Sequence, residues 1–547
     1  MYSSLTLKFT ATEPLVIPAH GVTLFVGPNS SGKSLLLREL ELATASHAKY
    51  PSKLVADFEL VWPSEEQLAK ELASLEEKNP PQTSLETVFV KRVRPDGEYD
   101  SAHVNKNAIL QQFRTRDKAW IASQFLRYFQ IRLDGRTRFD LTVDRPAGDL
   151  TEIPHNVLAH LFQNDSLREE IRKIVYDAFG VYFVIDPTNG GILRIRLSST
   201  APSANEQSLD AHAREFHKAA THIKDASDGV QAFVGILVAV RSGDFRSILV
   251  DEPEAFLHPP LARKLGYELA SSVSKRGATL MASTHSSDFL IGCLQANANV
   301  RVVRLEYSNG QSKGQIVDSD ALSKFFKTPL MRSANVISAL FHDGVVVCES
   351  DNDRAFYAEI YYRLAEREKG YPSLLFVNAQ NKQTIRDIIG PLRTFGVPAA
   401  AIVDIDILKD GGADWVGWLR AARFPDPLHG GLGQVRGDIV KRYSDSGINM
   451  NQGGVDALKG ADRDAVNSLF DSMAQYGIFV TRKGQLEDWL STLQIPGKKT
   501  SWTIAMLERL GSDSSTSSYI SPGQDDVWAF MQEIVNWAKN PARKGTP

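Results

Sequence analysis

Short apolar runs alternate with amphipathic stretches along this chain, which predicts an α/β protein. Residues 21–26 form an apolar run of β-forming residues that stops at a Gly-rich turn, and helix-forming residues follow from 34 to about 45. Two short strands of the buried, parallel-sheet type are predicted at residues 247–251 and 278–284, with a helical stretch between them. This order is that of a βαβ unit, in which helices cover the faces of a parallel sheet.

The same pattern begins again after residue 340. Apolar strands are predicted at 344–348, 374–377 and 399–403, and they alternate with helical stretches, the first of which runs from about 353 to 368. We therefore expect a first domain at residues 1–335 and a second α/β domain at 336–547. The region from about 80 to 225 carries no motif and is interpreted as an insertion in the first domain.

Composition excludes several classes of protein. The chain has 547 residues, of which 43% are hydrophobic and 23% charged, so it has enough apolar material for two or more globular domains. Its two cysteines exclude a disulfide framework and a multi-cysteine zinc site, and they favour a cytoplasmic protein. No apolar run approaches the roughly 18 residues of a membrane span. The net charge of −3 excludes a chain-wide basic field, so any contact with nucleic acid must rest on local patches.

The Gly-rich turn carries the first functional motif. Residues 27–34, GPNSSGKS, match the pattern GxxxxGK[ST] between a strand and a helix, and backbone N–H groups of such a turn surround the phosphates of a nucleotide. Lys33 would neutralise the β and γ phosphates of ATP, and the Ser34 hydroxyl would bind Mg²⁺. The residues expected to bind the nucleotide are Gly27, Asn29, Ser30, Ser31, Gly32, Lys33 and Ser34.

An acidic strand end supplies the expected partner of this turn. The apolar residues 247–250 lead into Asp251 and Glu252. Asp251 would hold Mg²⁺ directly or through water, and Glu252 would orient the attacking water. An apolar run that ends in Asp-Glu is usually structural when it stands alone, but downstream of a phosphate-binding turn the functional interpretation is favoured.

Two further pieces indicate the kind of ATPase. Ser227 and Gly229 open a predicted helix and could contact a γ-phosphate, and His285 follows a predicted strand. Taken together and in this order, the pieces resemble the head of an ABC-type ATPase, and residues 251–259, DEPEAFLHP, resemble its soluble DNA-repair and defence branch. The resemblance implies a dimer in which Ser227 of one head completes the Lys33 site of another. The signature reads SDGVQ where many transporters have SGGQ.

A second acidic constellation follows two strands of the second domain. Glu349 comes directly after the strand at 344–348 and Asp353 begins the next helix, while Asp404 and Asp406 follow the strand at 399–403. Period-two alternation would send Asp404 and Asp406 to the same side. Such hard oxygen ligands at neighbouring strand ends suit Mg²⁺ or Mn²⁺. The structural alternative is helix capping by Asp353 and turn formation by the other two aspartates.

This second region resembles the Toprim fold. Glu349 matches its glutamate and Asp404-x-Asp406 its Asp-x-Asp, and Glu487 resembles the acidic segment that completes the metal cluster in the nuclease members. Lys498 or Lys499 would match the later lysine of those enzymes. Primase is disfavoured because two cysteines cannot build its zinc module, and topoisomerase because little chain is left for a strand-cleaving tyrosine domain.

The order of the two regions resembles the OLD (overcoming lysogenization defect) family of nucleases, to which Gabija-type and retron-associated defence nucleases belong. The expected fold is an N-terminal ABC-type P-loop ATPase domain with an inserted helical or dimerisation region, followed by a C-terminal Toprim domain. The resemblance implies an ATP-regulated DNA endonuclease with two Mg²⁺ or Mn²⁺ ions, forming a homodimer or higher oligomer. A helicase partner, or a reverse transcriptase with its non-coding DNA, is a further expectation. The alternatives are an ATP-driven DNA clamp or sensor and, less favoured, a transporter ATPase subunit.

Overall fold

A computed structural model gives the fold of most of the chain. The residues that it describes are 2–45, 52–76, 87–93, 99–135, 137–151, 154, 156–242, 245–296, 298–308, 310–329 and 335–546. The strands, in chain order, are β1 (Tyr2–Leu7), β2 (Leu15–Pro18), β3 (Gly21–Val26), β4 (Val55–Leu60), β5 (Thr87–Val93), β6 (Tyr99–Asn105), β7 (Gln130–Leu133), β8 (Arg145–Pro146), β9 (Tyr182–Asn189), β10 (Ile192–Ser198), β11 (Thr221–His222), β12 (Ser247–Asp251), β13 (Thr279–Ser283), β14 (Val300–Ser308), β15 (Gln311–Val317), β16 (Gly344–Cys348), β17 (Leu374–Asn378), β18 (Ala399–Asp404) and β19 (Ile478–Thr481).

The helices include those that the apolar pattern predicts after residue 34, between β12 and β13, and from about 353 to 368, together with several in the unassigned region 80–225. They are α1 (Lys33–Ala45), α2 (Glu65–Leu75), α3 (Lys106–Arg114), α4 (Lys118–Gln124), α5 (Val157–Gln163), α6 (Asp165–Phe179), α7 (Ala211–Ala219), α8 (Asp228–Ser242), α9 (Pro259–Arg276), α10 (Ser287–Gln295), α11 (Ser319–Lys327), α12 (Asp351–Arg367), α13 (Lys382–Thr394), α14 (Ala413–Ala421), α15 (Asp426–Asp445), α16 (Gly460–Gln475), α17 (Thr500–Leu510) and α18 (Asp526–Lys539).

The chain divides into two compact units, Met1–Val26 with Ser30–Gly314, and Gly27–Asn29 with Gln315–Pro547. A central sheet of order β15-β14-β3-β13-β12-β7 organises the first, and β14, β3, β13, β12 and β7 run parallel. Parallel strands covered by helices on both faces read as continuous apolar runs, as β3, β12 and β13 do. The turn after β3 and the acidic end of β12 therefore lie at the same edge of this sheet, where such folds bind ligands.

The predicted insertion contains a strand of this central sheet. Strand β7 lies within the range of 80–225, yet it pairs in parallel register with β12, from Gln130 opposite Ser247 to Leu133 opposite Val250. The β9 and β10 strands of the same range form an antiparallel hairpin, as the turn residues 188–191 predict. Residues 80–86 and 94–98 of the range lie outside the described part of the chain.

A parallel sheet of order β17-β16-β18-β19 forms the centre of the second unit. Its strands are almost wholly buried, and the helices α12, α17 and α18 pack on it through one aromatic-rich core that includes Phe356, Trp502 and Trp528. The α/β fold class, with a P-loop ATPase region followed by a Toprim-type sheet, is thus confirmed. In the described residues, no helix combines the length and the apolarity that a membrane crossing requires.

Candidate functional site

The phosphate-binding turn leaves β3 and enters α1 with three residues at positive φ, the first of which is Gly27 at 140°. Ser30 has φ 63° and Gly32 has φ 96°, and a Cβ at Gly32 would approach the Cδ1 of Leu54 to 2.9 Å. Left-handed residues in a turn direct successive backbone N–H groups toward one side, which makes an anion-binding concavity. The Lys33 ammonium is buried and donates a hydrogen bond to the Ser31 Oγ at 3.3 Å.

The two predicted magnesium ligands of this unit are in direct contact. The Ser34 hydroxyl donates to the Asp251 Oδ1 at 2.9 Å, and Ser283 at the end of β13 donates to the same oxygen. The Ser34 hydroxyl, from the start of α1, and the Asp251 carboxylate, from the end of β12, thus converge on one point. This is the arrangement that holds the Mg²⁺ of a bound nucleotide in P-loop enzymes.

Electrostatics in this site favour an added anion. Burial lowers the pKa of Lys33 to about 8, although Glu252 and Asp251 favour its charged form. Burial and the neighbouring Lys33 lower the pKa of His285 to about 4. His285 is therefore a neutral imidazole near pH 7, and its Nε2 lies 3.9 Å from the Glu252 Oε1.

Arg138 positions the acidic turn after β12, and it was missed by sequence reasoning. Its guanidinium is fully buried and donates to the carbonyl oxygens of Asp251 at 2.8 Å, Ala255 at 2.9 Å and Glu252. Glu252 itself has φ 50°, a conformation that costs free energy unless its surroundings impose it. Arg138 lies in a region without a motif, and nothing in the sequence around it indicates that it contacts the turn after β12.

Glu254 is a second residue that sequence reasoning passed over. Its Oε1 accepts a hydrogen bond from the backbone N–H of His285 at 2.7 Å, which ties the end of β13 to the turn after β12. Burial raises the pKa of Glu254, with a smaller contribution from Glu252. The carboxylate thus positions the histidine through its backbone and leaves the imidazole ring available for other contacts.

The predicted signature residues line a different surface. Ser227 and Gly229, at the start of α8, line a cleft of about 780 Å³ together with Phe256 and His258, and residues of the phosphate-binding turn do not line this cleft. A Cβ at Gly229 would come within 2.8 Å of the Phe256 carbonyl oxygen, so only glycine allows this close approach.

The acidic residues of the second unit meet at the carboxyl ends of β16 and β18. These strands are neighbours in parallel register, so Glu349, directly after β16, and Asp404, the last residue of β18, lie at the same edge of the sheet. Burial raises the pKa of Asp404 to about 7, and repulsion from Asp353 and Glu349 adds to the effect. A hydrogen bond of 3.1 Å from the Thr481 hydroxyl opposes it only in part.

Asp353 serves as a helix cap and also lies beside the other carboxylates. Its Oδ2 accepts hydrogen bonds from the Ser350 backbone N–H at 2.9 Å and the Ser350 hydroxyl at 2.7 Å, which is a capping arrangement at the start of α12. Burial raises its pKa, and repulsion from Glu487 contributes. Asp353 is therefore a helix cap, as the structural interpretation predicts. It also interacts electrostatically with Glu487, Glu349 and Asp404, so it is still a candidate metal ligand.

The third predicted element, after β19, is anchored through backbone contacts. The Glu487 Oε1 accepts a hydrogen bond from the Lys499 backbone N–H at 2.7 Å. Lys499 has φ 52° and directly precedes α17, and the Lys498 N–H donates to the Ser501 hydroxyl oxygen at 3.2 Å. Both lysine side chains are exposed.

The alternation argument for Asp406 was wrong in its detail. Strand β18 ends at Asp404, and Asp406 lies in a 3₁₀ turn, Ile405–Lys409, where period-two alternation no longer applies. Asp406 nonetheless contributes repulsion to both Glu349 and Asp404. Its Oδ1 accepts a hydrogen bond from the Lys382 ammonium at 3.1 Å.

The donor set at this sheet edge suits a hard divalent cation, but the side chains are not gathered around one point. Among the described residues, no three His, Cys, Asp or Glu side chains form a group that could hold a metal ion. Burial raises the pKa values of Glu349, Asp353 and Asp404, and repulsion from neighbouring carboxylates adds to the effect; a cation would relieve that repulsion. Binding one would require the carboxylates to turn toward a common position.

The raised pKa of Asp404 predicts a pH-dependent cost of folding. In the unfolded chain Asp404 loses its proton near pH 3.8, and in the folded chain near pH 7, so the folded state binds more protons between these values. The free energy of unfolding therefore falls as pH rises from about 4 to about 7, by up to about 4 kcal/mol. Because asparagine does not ionise, the Asp404→Asn variant should not lose stability in this way. We therefore expect the difference in free energy of unfolding between the variant and the wild type to grow from pH 5 to pH 8, in favour of the variant.

Urea unfolding in metal-free buffer, followed by tryptophan fluorescence, measures this gain. Asp462→Asn is the matched control. Asp462 lies on α16, is half exposed, and forms an ion pair with Arg442 on α15. A gain for Asp404→Asn that is the same at both pH values would show that burial and repulsion do not act on Asp404 as described.

Comparisons with known proteins find one family model in each half of the chain. Residues 103–292 match the family model described as AAA domain, putative AbiEii toxin, Type IV TA system. Residues 340–406 match the model described as Overcoming lysogenization defect protein-like, TOPRIM domain, a range that includes Glu349, Asp353, Asp404 and Asp406. Nothing among the curated proteins matches the chain.

Solved structures with a likeness to the chain include ATPase heads. An SmcHead bound to the C-winged helix domain of ScpA shares 16% identity over 59% of this chain and 99% of its own, with a TM-score of 0.34. The SMC head domain from Thermotoga maritima shares 15% identity over 58% of this chain and 99% of its own, with a TM-score of 0.29. At these scores the likeness adds nothing to the fold described above. The two family models together confirm the resemblance: the chain joins an AAA-type ATPase domain to a TOPRIM domain of the overcoming lysogenization defect type.

Proposed function

We propose that this chain is an ATP-regulated, divalent-metal-dependent DNA endonuclease. The observation that carries the proposal is the meeting of Glu349, Asp353 and Asp404 at one edge of the second sheet, where each has its pKa raised. Perturbed carboxylates that repel one another in a crevice are typical of functional sites. Helix capping accounts for Asp353, but it does not account for Glu349 and Asp404 at the same sheet edge.

The carboxylates would hold the ions, and the remaining residues would position them. Divalent ions, when bound, activate a water molecule and stabilise the leaving oxygen of a phosphodiester. Glu349, Asp404 and Asp406 would supply oxygen ligands from two strand ends, and Asp353 and Glu487 would complete the set. The exposed ammonium of Lys498 or Lys499 would then lie over the DNA backbone and stabilise negative charge.

The first unit would bind and hydrolyse ATP. Lys33 would neutralise the triphosphate, Ser34 and Asp251 would hold its Mg²⁺, and Glu252 would orient the attacking water while His285, as a neutral imidazole, contacts the γ-phosphate. Ser227 and Gly229 line a cleft away from the phosphate-binding turn. This placement supports a dimer in which the signature of one chain completes the ATP site of its partner.

The family resemblance extends the proposal beyond the chemistry. It supports a role in defence against phage, with DNA as the target and with a helicase or a reverse transcriptase as a further partner.

A second candidate function is an ATP-driven DNA clamp or sensor with a non-catalytic second domain. The hydrogen bond of Asp406 to Lys382 favours it, because an aspartate that already has a cationic partner is a poorer metal ligand. Failure of the purified protein to nick supercoiled or linear DNA with Mg²⁺ or Mn²⁺, both with and without ATP, would support this alternative.

The endonuclease proposal predicts separable activities. We expect Asp404→Ala to reduce Mg²⁺-dependent plasmid cleavage by about a thousandfold or more, because it removes a metal ligand. Its ATP hydrolysis should stay within about twofold of the wild type, since Asp404 ends a strand of a different sheet from the one whose edge carries Lys33 and Asp251. Cleavage is measured on supercoiled plasmid, and hydrolysis by phosphate release.

Asp462→Ala is the matched control for this variant. Asp462 and Asp464 form another Asp-x-Asp pattern, but they lie on the α16 helix with Asp462 paired to Arg442. Both activities should be retained in the control. Undiminished cutting by Asp404→Ala would remove the second unit from the cleavage reaction.

The dimer proposal predicts complementation between two defective chains. Lys33→Ala loses the phosphate-binding ammonium and Ser227→Ala loses the signature hydroxyl, so each protein alone should hydrolyse ATP at about 1% of the wild-type rate or less. A mixed dimer has one intact composite site, so an equimolar mixture should recover roughly a quarter of that rate. A mixture no more active than its components would mean that Ser227 acts within its own chain.

A further inference from the structure

Lys382 lies inside the acidic cluster of the second unit and has no role in the chemistry described above. Its ammonium donates a hydrogen bond to the Asp406 Oδ1 at 3.1 Å and another to the Asp406 carbonyl oxygen at 3.3 Å. It also forms an ion pair with the Asp410 Oδ1 at 3.2 Å. Only 12% of the side chain is exposed, so these contacts are shielded from water.

The chain fixes this position by local structure. Asn381 caps α13 by accepting a hydrogen bond from the Thr384 N–H at 2.9 Å, and Lys382 is the first residue of that helix. Strand β17, which precedes this cap, pairs in parallel register with β16. Lys382 therefore enters the same sheet edge as Glu349, from the strand on the other side of β16 from β18.

The contacts of Lys382 are of the kind that a divalent ion would make. An ammonium and a hard cation compete for the same carboxylate oxygens, and two positive charges a few ångströms apart repel strongly at low local dielectric. Asp410 has its own second contact, since its Oδ2 accepts a hydrogen bond from the Trp418 indole N–H at 3.1 Å. Asp410 is thus held in place and keeps Lys382 beside Asp406.

We propose that Lys382 is a resident counter-cation that competes with the divalent ion for Asp406 and so weakens metal binding at this site. It is a positioning residue, which acts through Asp406, and the inference rests on the proposed metal-dependent function. In the resting protein Lys382 offsets part of the repulsion among the carboxylates. If Lys382 turned away from Asp406, the Asp406 carboxylate would become available as an oxygen ligand of a divalent ion, and the Lys382 ammonium would be available to contact a DNA phosphate.

The proposal predicts opposite changes in metal affinity and cleavage. We expect Lys382→Met to bind Mn²⁺ about tenfold more tightly than the wild type, because one competing charge is gone. The same variant should cleave plasmid more slowly at saturating Mn²⁺. Asp410→Asn removes one of the two negative charges that Lys382 contacts, so Lys382 neutralises Asp406 alone and the Mn²⁺ affinity of this variant should fall. A merely structural lysine would not give this pair of opposite signs.

Mn²⁺ binding to the full chain without nucleotide, followed by the electron paramagnetic resonance of the free ion, measures these affinities. Lys382→Arg should restore binding close to that of the wild type, and Lys409→Met is the matched control, because Lys409 is an exposed lysine in the turn that contains Asp406. That control should change Mn²⁺ affinity by less than about twofold. Circular dichroism confirms that each variant is folded.

The outcomes separate this inference from the function on which it rests. Unchanged or weaker Mn²⁺ binding by a folded Lys382→Met would overturn the inference, even if the wild type cleaves DNA. If the Glu349→Ala variant binds Mn²⁺ as tightly as the wild type, Glu349 is not a metal ligand. That result would contradict the proposed metal site and the proposed function with it.

Discussion

Repulsion among half-buried carboxylates is the constraint on which the chemistry of the second unit depends. The register of two neighbouring parallel strands, β16 and β18, brings Glu349 and Asp404 to one edge, and Asp353 follows at the start of the next helix. Burial raises the pKa of each, and their mutual repulsion adds to it. A backbone that holds such groups together stores free energy that a cation releases, which is the physical basis for assigning a metal to this edge.

The lysines at the two sheet edges have opposite pKa shifts. In the first unit, burial lowers the pKa of Lys33 to about 8, so its charged form gains from an added anion such as a triphosphate. In the second unit, hydrogen bonds to Asp406 and Asp410 raise the pKa of Lys382 despite its burial, because this lysine already has its anions. The sheet edge that carries Lys33 thus favours binding of a phosphate, and the sheet edge that carries Glu349 and Asp404 favours binding of a cation.

Most of the fold and the first site could be predicted because they depend on local pattern. Strand Gly344–Cys348 has the bounds that its apolar run indicates. Arg138 and Lys382 could not be found in this way, since each acts through contacts with residues distant in sequence or across a sheet edge. The alternation argument for Asp406 failed because the strand ends two residues earlier, where a 3₁₀ turn begins.

Anomalous diffraction from crystals soaked in a manganese salt would test the central claim most directly. The account predicts manganese density bounded by the carboxylates of Glu349, Asp404 and Asp406, with the Lys382 ammonium moved away from Asp406. Manganese found only elsewhere, with Lys382 still hydrogen-bonded to Asp406, would contradict it.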